Sequence, residues 1–317
     1  MSHVASRRAA WQWLRQFECQ RGQRDAPYTH SSLRGTWDWT TCSGKLNIPD
    51  TEDVQRQLFE VISFLSSCRS PLCYVEMCTP RRPIIVDIDV LGSTDEQAGC
   101  APDELILNSD FFKLRAQELH RACPGIAPLE LALFTASGWH RDKSCWKASF
   151  HAVWRQLVVT QDMASSIRSA TVEAFEQLSE EEPLKSLRGQ LLELPPKNTW
   201  DMVFDITSVR GGSFRMPFCD KVAEGREVRP VGVFVFEFGE PHADDVKQVL
   251  RHGPDGLTSV EWLARGTVRL PQEPSPPLAE VAPSISQRPG RLADEQRQPA
   301  HSSVPSLAQE VIGTLEC

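Results

Sequence analysis

Hydrophobic and polar positions along the chain repeat with two periods, one typical of helices and one of strands. Apolar residues that recur every three or four positions predict helices over residues 7–20, 50–68, 104–123 and 161–178, with shorter ones at 246–251 and 259–264. Alternating and β-branched runs predict strands over 72–78, 83–90, 130–136, 146–159 and 231–238. Interleaved strands and helices of this kind indicate an α/β fold.

The composition changes after residue 270. Eight prolines fall within residues 271–317, among many serines, glutamines and alanines. A segment of this composition buries too little apolar surface to offset the entropy lost on ordering. We therefore predict one folded core over residues 1–270 and a disordered, proline-rich tail over residues 271–317.

The strand predicted at 83–90 carries two carboxylates. Asp87 and Asp89 are two positions apart, so both side chains lie on one face of the strand while Ile88 points to the other. Two adjacent like charges are costly unless a cation lies between them, and oxygen ligands suit Mg²⁺ or Mn²⁺. Such pairs also occur as solvated or capping residues at strand ends, so the pair alone leaves both interpretations open.

Two further segments carry chemistry. Lys147, Ser149 and His151 alternate onto one face of a strand, where they suit a phosphate chain or form an ordinary exposed polar face. Asp205 follows later in an apolar run. A Gly-Gly turn at residues 211–212 then predicts a hairpin whose second strand carries Arg215.

In this order the three segments resemble the motifs of the archaeo-eukaryotic primase superfamily, which has a D-x-D strand, an S-x-H strand and a lone Asp on a later strand. The amino-terminal region narrows the resemblance to the primase domain of poxvirus and giant-virus primase–helicases. It does so through residues 28–31 (Tyr-Thr-His-Ser), 43–50 (Ser-Gly-Lys-Leu-Asn-Ile-Pro-Asp) and 73–76 (Cys-Tyr-Val-Glu). The similar region spans residues 28–220. Ser43 departs from the pattern, because those relatives have glycine there.

The resemblance implies the fold, the activity and the site. The fold would be an RRM-like mixed or antiparallel sheet with helices packed on one face, together with an amino-terminal α/β unit. The activity would be DNA-dependent primase or polymerase chemistry on single-stranded DNA with NTP or dNTP substrates. Its catalytic and metal-binding residues would be Asp87, Asp89 and Asp205, with two Mg²⁺ or Mn²⁺ ions. Its nucleotide-binding residues would be Lys147, Ser149, His151 and Arg215, with Arg210 ranked lower.

Two other functions remain open on the same residues. A catalytically inactive primase fold could serve as a single-stranded nucleic-acid-binding or scaffold protein, although a carboxylate cluster without metal would be destabilising. A metal-dependent nuclease would use the carboxylates but would give no role to the strand of Lys147, Ser149 and His151. Affinity for a nucleoside triphosphate distinguishes the polymerase from both.

Charge and cysteine content refine these expectations. The net charge of −8 does not favour nucleic-acid binding, but basic residues concentrate around the three motifs: Arg81, Arg82, Arg141, Lys143, Lys147, Arg155, Arg210, Arg215 and Lys221. Cys68, Cys73 and Cys78 are spaced too widely for a zinc knuckle, so we expect buried thiols and no zinc site. Many relatives in the family that the chain resembles carry a carboxy-terminal zinc module that assists primer initiation. Only His242, His252, His301 and Cys317 follow residue 220, and they cannot build one, which argues against priming without a primer more than against primer extension.

Partners and location are inferred from missing motifs. No Walker A motif is present, so a replicative helicase would be a separate partner. No membrane span or secretory signal is evident. Three arginines without an acid in the first seventeen residues suit either a mitochondrial transit peptide or a surface helix. We therefore expect a nuclear or mitochondrial protein.

Overall fold

The computed structural model describes residues 6–19, 27–32, 44–92, 94, 101–178, 184–192, 198–220, 226–239, 245–271 and 274–286. The helices in these ranges are α1 (Arg7–Arg15), α2 (Glu52–Ser67), α3 (Ala101–Asn108), α4 (Phe111–Ala122), α5 (Gln161–Leu178), α6 (Leu184–Leu192), α7 (Trp200–Val203), α8 (Ser259–Gly266) and α9 (Pro283–Ser286). The strands are β1 (His30–Ser32), β2 (Gly44–Leu46), β3 (Tyr74–Met77), β4 (Arg82–Leu91), β5 (Leu129–Thr135), β6 (Gly138–His140), β7 (Cys145–Val159), β8 (Phe204–Asp205), β9 (Ser213–Arg215), β10 (Arg229–Phe238) and β11 (Val246–His252).

The larger of two sheets has the strand order β11-β10-β5-β7-β4-β8, and β6 also pairs with β7. Its described pairings are antiparallel. Helices α3 to α7 bury one face, where the alternate residues Ile84, Val86, Ile88 and Val90 of β4 enter the main hydrophobic core. The other residues of β4 therefore point away from the helices. This arrangement confirms the predicted α/β fold with helices packed on one face of an antiparallel sheet.

The smaller sheet has the order β2-β1-β3-β9 and brings together the three amino-terminal motifs. It packs on α1, α2 and α8 around a second core. Thr29 links its first two strands, because its hydroxyl accepts from the Ile48 amide at 2.7 Å and lies within bonding distance of the Leu46 and Ile48 carbonyls. The amino-terminal α/β unit is thus present, and later parts of the chain complete it. Helix α1 packs into this core through Ala10, Trp11 and Leu14.

Three local predictions were wrong. Residues 246–251 form the edge strand β11, because pairing with β10 overrides the weak helical pattern of a short segment. The helix predicted over 104–123 is two helices, since the Ser109 hydroxyl donates to the Ile106 carbonyl and accepts from the Phe111 amide at the break. The predicted hairpin after Asp205 does not form, because β8 pairs with β4 in the large sheet whereas β9 pairs with β3 in the small one.

Part of the predicted disordered tail is ordered, so that prediction was wrong for residues 274–286. The Ala279 amide donates to the Val158 carbonyl at 2.7 Å, and the Ala282 amide donates to the Ala122 carbonyl at 2.8 Å. Ala279 and Ile285 are buried in the main core. A proline-rich segment can lie extended on a folded surface because proline has no backbone N–H that needs a partner. Its apolar residues can then pack against the core of the domain. Residues 287–317 lie outside the described ranges.

The three cysteines around β3 differ in burial. Cys73 is buried, whereas Cys68 and Cys78 are partly exposed, so the expectation of burial holds fully for one of the three. Among the helices that the structure describes, none combines the length and apolarity required to cross a bilayer.

Candidate active site

Two neighbouring strands of the large sheet bring the predicted carboxylates together, and a third carries their polar neighbours. Strand β4 lies between β7 and β8, so Asp87 is opposite His151 on one side and opposite Asp205 on the other. Asp89 is opposite Ser149. One potential ligand oxygen from each of Asp87, Asp89 and Asp205 lies within 4.8 Å of the other two. In the part of the chain that the structure describes, this is the one cluster of three or more acidic, His or Cys side chains close enough to share a metal ion.

Buried polar side chains hold the short strand β8 in place. Arg168 on α5 donates from Nε to the Phe204 carbonyl at 2.7 Å and from Nη2 to the Asp201 carbonyl at 2.7 Å. Asp205 accepts from the Thr207 amide at 2.8 Å, which turns the chain directly after the strand. Sequence reasoning missed Arg168, because an arginine on a helix ordinarily faces solvent and only its long-range partners reveal its role.

Asn198, which sequence reasoning also missed, holds the carboxyl-terminal end of β4 in place. The buried Asn198 accepts from the Leu91 amide and donates to the Leu91 carbonyl, both at 2.9 Å, and it also donates to the Leu191 carbonyl at 3.0 Å. These bonds satisfy backbone groups where β4 ends, two residues beyond Asp89. No pattern in the sequence marks Asn198, since its partners lie on distant elements.

The polar strand face contacts the carboxylates directly. Lys147 Nζ lies 2.5 Å from Asp89 Oδ2, and the Ser149 hydroxyl donates to Asp89 Oδ1 at 2.8 Å. His151 Nε2 lies 3.5 Å from Asp87 Oδ1. The structure therefore places Lys147, Ser149 and His151 beside the acidic cluster, as the alternation in the sequence predicts for a shared face.

Burial and mutual repulsion dominate the electrostatics. Burial raises the pKa of Asp87 well above its usual range, and the neighbouring Asp89 and Asp205 charges raise this pKa further, while Lys147 and Arg215 lower it. Burial also lowers the pKa of His151 well below its usual range, helped by Arg215, Lys147 and Arg226. His151 is accordingly neutral near pH 7, and its uncharged imidazole lies beside Asp87.

The residues present fit a divalent metal. Asp87 Oδ1 is buried and has no hydrogen-bond donor, so the protein alone leaves this oxygen unsatisfied. The Lys147 ammonium pairs with Asp89, at the other carboxylate of β4. Three carboxylate oxygens are ligands that Mg²⁺ and Mn²⁺ prefer, and such an ion would offset the repulsion that raises the pKa of Asp87.

The two predicted arginines differ in placement. Arg215 lies on β9 of the small sheet, donates from Nη1 to the Arg226 carbonyl at 2.9 Å, and its charge acts on Asp87 and His151. The neighbouring Phe214 packs against the His151 ring, with 4.5 Å between ring centroids. Arg210 is exposed on a turn between the two sheets' strands β8 and β9. The small sheet thus brings Arg215 to the acidic cluster.

Comparison with known protein families agrees with the fold. The antiparallel sheet with its acidic triad defines the chain as a domain of the archaeo-eukaryotic primase (AEP) class. The family model for the N-terminal AEP domain of the C962R protein, from a primase–helicase of poxvirus and giant-virus type, matches residues 40–231. This range covers more than half of the chain, and the chain belongs to this family. A search of curated proteins found no match.

Proposed function

We propose that this protein is a DNA-dependent primase or polymerase that transfers nucleotides to a 3′-hydroxyl on a single-stranded DNA template. Membership of the AEP family supports primase-type nucleotidyl transfer in general. The observation that carries the specific proposal is the acidic triad, with its unsatisfied buried oxygen, directly beside the strand face of Lys147, Ser149 and His151. Phosphoryl transfer needs chiefly positioning and charge neutralisation, and this arrangement is suited to both.

The acidic triad would hold the metal ions. Asp87, Asp89 and Asp205 are the proposed ligands for two Mg²⁺ or Mn²⁺ ions. Bound ions of this kind lower the pKa of an attacking hydroxyl and neutralise the charge that develops on the leaving pyrophosphate. The carboxylates themselves contribute the negative charge that selects divalent cations, and the strand pairing of β4 with β8 holds Asp87 and Asp205 opposite each other.

The neighbouring polar residues would bind the nucleotide. Lys147, which pairs with Asp89, has a flexible ammonium group that can move to a phosphate oxygen. The neutral imidazole of His151 can donate one N–H without adding charge. Arg215 would add a fixed positive charge from the small sheet, and Ser149 a hydroxyl donor.

The proposed partners follow from this chemistry. They are single-stranded DNA as template, NTP or dNTP as substrates, and a separate replicative helicase to expose the template. We further propose that the protein works in the nucleus or the mitochondrion, where DNA is copied. Arg210, exposed on the turn between β8 and β9, is a candidate contact for the DNA backbone.

A primer-extension experiment tests the proposal. The full chain is incubated with single-stranded DNA, Mn²⁺ or Mg²⁺ and labelled NTPs or dNTPs, with and without a primer. Asp87→Asn/Asp89→Asn serves as the inactive variant. Asp162→Asn, an exposed first-turn residue of α5, serves as the matched control. We expect product with the wild type and the control and none with the double variant.

The pattern of products distinguishes the alternatives. Product only with a primer indicates an extending polymerase, whereas product without a primer indicates a self-sufficient primase. DNA binding without product in any condition would refute the polymerase and leave the scaffold function. Degradation of the DNA that requires the triad would indicate a nuclease.

A further inference from the structure

The backbone pairing between β7 and its neighbours β5 and β6 is interrupted opposite Ser149. Strands β5 and β6 pair with β7 in one continuous register, in which Thr135 is opposite Phe150 and Gly138 is opposite Lys147. That register places Ala136 opposite Ser149, and the Ala136 amide donates to the Ser149 carbonyl at 2.8 Å. In an uninterrupted antiparallel pair the return bond would also join backbone to backbone. Here the Ser149 amide instead donates to the Ser137 hydroxyl at 2.9 Å.

The Ser137 hydroxyl is in turn oriented by a carboxylate on a helix. It donates its proton to Asp103 Oδ1, and it accepts from the Thr135 hydroxyl at 2.8 Å. The other Asp103 oxygen, Oδ2, accepts from the Trp146 indole N–H at 2.9 Å. Asp103 is only 8% exposed, so these bonds form largely away from water, where their geometry is well defined.

The chain of bonds continues to the acidic triad. Ser149 and Asp89 are opposite each other, and the Ser149 hydroxyl donates to Asp89 Oδ1. Because the backbone groups of Ser149 point toward β5, its pair with Asp89 is of the narrow, non-hydrogen-bonded type in which side chains approach closely. A small shift of Ser149 would therefore move the donor that orients Asp89.

We propose that Asp103 is a positioning residue for the candidate active site and acts through Ser137 and Ser149 on Asp89. This inference rests on the proposed function, since it assigns Asp103 a part in shaping that same site. Asp103 touches none of the triad carboxylates directly. Its effect is to keep the Ser137 proton directed away from β7, so that the Ser137 oxygen remains an acceptor for the Ser149 amide.

The test measures Mn²⁺ affinity, from the free-ion electron paramagnetic resonance signal, together with kcat and KM for the nucleotide in primer extension. The full chain is compared with Asp103→Asn and Ser137→Ala. Asp162→Asn is the control, because it also removes one acidic residue from the first turn of a helix. Loss of a residue that supports a metal ligand weakens metal affinity or activity by about 10- to 100-fold. We expect a loss of that size for both variants and none for the control.

Two further variants separate positioning from general stability. Ser137→Thr retains the hydroxyl and should recover Mn²⁺ affinity relative to Ser137→Ala. In a Ser149→Ala background, Asp103→Asn should cause little additional loss, because residues acting in one chain of contacts are not additive. Equal losses with and without Ser149 would overturn the proposal, and so would full affinity in both Asp103→Asn and Ser137→Ala. If Asp103→Asn does not fold, the alanine and threonine variants of Ser137 decide the question.

Mn²⁺ binding and primer extension by the wild-type chain distinguish a failure of the proposed function from a failure of the positioning role. Wild type that neither binds Mn²⁺ nor extends a primer refutes the proposed function, and the positioning role with it. An active wild type whose activity and Mn²⁺ affinity survive the Asp103 and Ser137 substitutions refutes the positioning role alone.

Discussion

Without metal, the acidic triad should destabilise the fold, and Asp87→Asn should relieve this. Burial and the charges of Asp89 and Asp205 raise the pKa of Asp87, and Oδ1 of Asp87 lacks a hydrogen-bond donor. Asparagine keeps the shape of the side chain, removes the charge and adds an N–H₂ group that can donate to a neighbouring carboxylate. We therefore expect the variant to unfold less readily than wild type in EDTA.

The magnitude follows from the geometry. Two unit charges at the 4.8 Å limit of the triad repel by about 3 kcal/mol at an effective dielectric constant of about 20. The destabilisation by this repulsion has an upper limit, because the folded protein can instead keep Asp87 protonated. Keeping a carboxyl of ordinary pKa 3.8 neutral at about pH 7 costs about 4 kcal/mol, since each pH unit above the pKa costs about 1.4 kcal/mol. Lys147 offsets part of the repulsion at Asp89. The expected gain in unfolding free energy is therefore about 1–4 kcal/mol at pH 7.

Urea unfolding in EDTA measures this gain at pH 7 and at pH 4, with Asp162→Asn as the control. A carboxyl whose pKa is raised on folding costs stability above its unfolded pKa and costs nothing below it, so the gain should largely disappear at pH 4. Mn²⁺ at about 100 times its Kd should stabilise wild type by about 3 kcal/mol and the variant much less. An Asp87→Asn protein that is less stable than wild type in EDTA at pH 7, or that keeps the full Mn²⁺ response, would refute the reasoning.

Three other outcomes are expected. Burial raises the pKa of Glu76 to about 7, so wild type should lose stability as pH rises from 4.5 through 7. Thermal melts should then show Glu76→Gln as the more stable protein at pH 8 but not at pH 5, and a pH-independent difference would contradict this. Truncation after residue 273 should lower the urea unfolding free energy by about 2–4 kcal/mol, because Ala279 and Ile285 leave the core. An unchanged unfolding free energy would count against the packing. Lys147→Gln should raise the nucleotide KM in primer extension by about 10-fold, since a charge-assisted phosphate contact is lost, and an unchanged KM would remove Lys147 from the nucleotide site.

Elements with a strong local period could be predicted well from the sequence. Helix α5 spans Gln161–Leu178, the predicted 161–178, and β4 and β7 lie where alternation and β-branched runs place them. The same alternation correctly predicts that Asp87 and Asp89 lie on one face of β4, and that Lys147, Ser149 and His151 lie on one face of β7. These results depend only on neighbours along the chain, because the geometry of one strand decides which way its side chains point.

Pairings between distant segments could not be predicted in this way. The hairpin proposed after Asp205 and the helix proposed at 246–251 were wrong because a short segment of two to seven residues takes its structure from the partner that satisfies its backbone. The ordered segment 274–286 was missed for a similar reason. Its proline-rich composition argues against a core of its own but does not exclude packing on a core built by others.

The sequence by itself determined the class of fold, the faces of the central strands and, through the resemblance of its motifs, the residues of the candidate site. Tertiary structure alone decided that β4 lies between β7 and β8, which brings Asp205 opposite Asp87, and that β9 carries Arg215 to the site from the other sheet. It also decided the supporting bonds of Arg168, Asn198 and Asp103. Local periodicity reports where a side chain points, whereas the order of strands depends on which distant segments bury and hydrogen-bond one another.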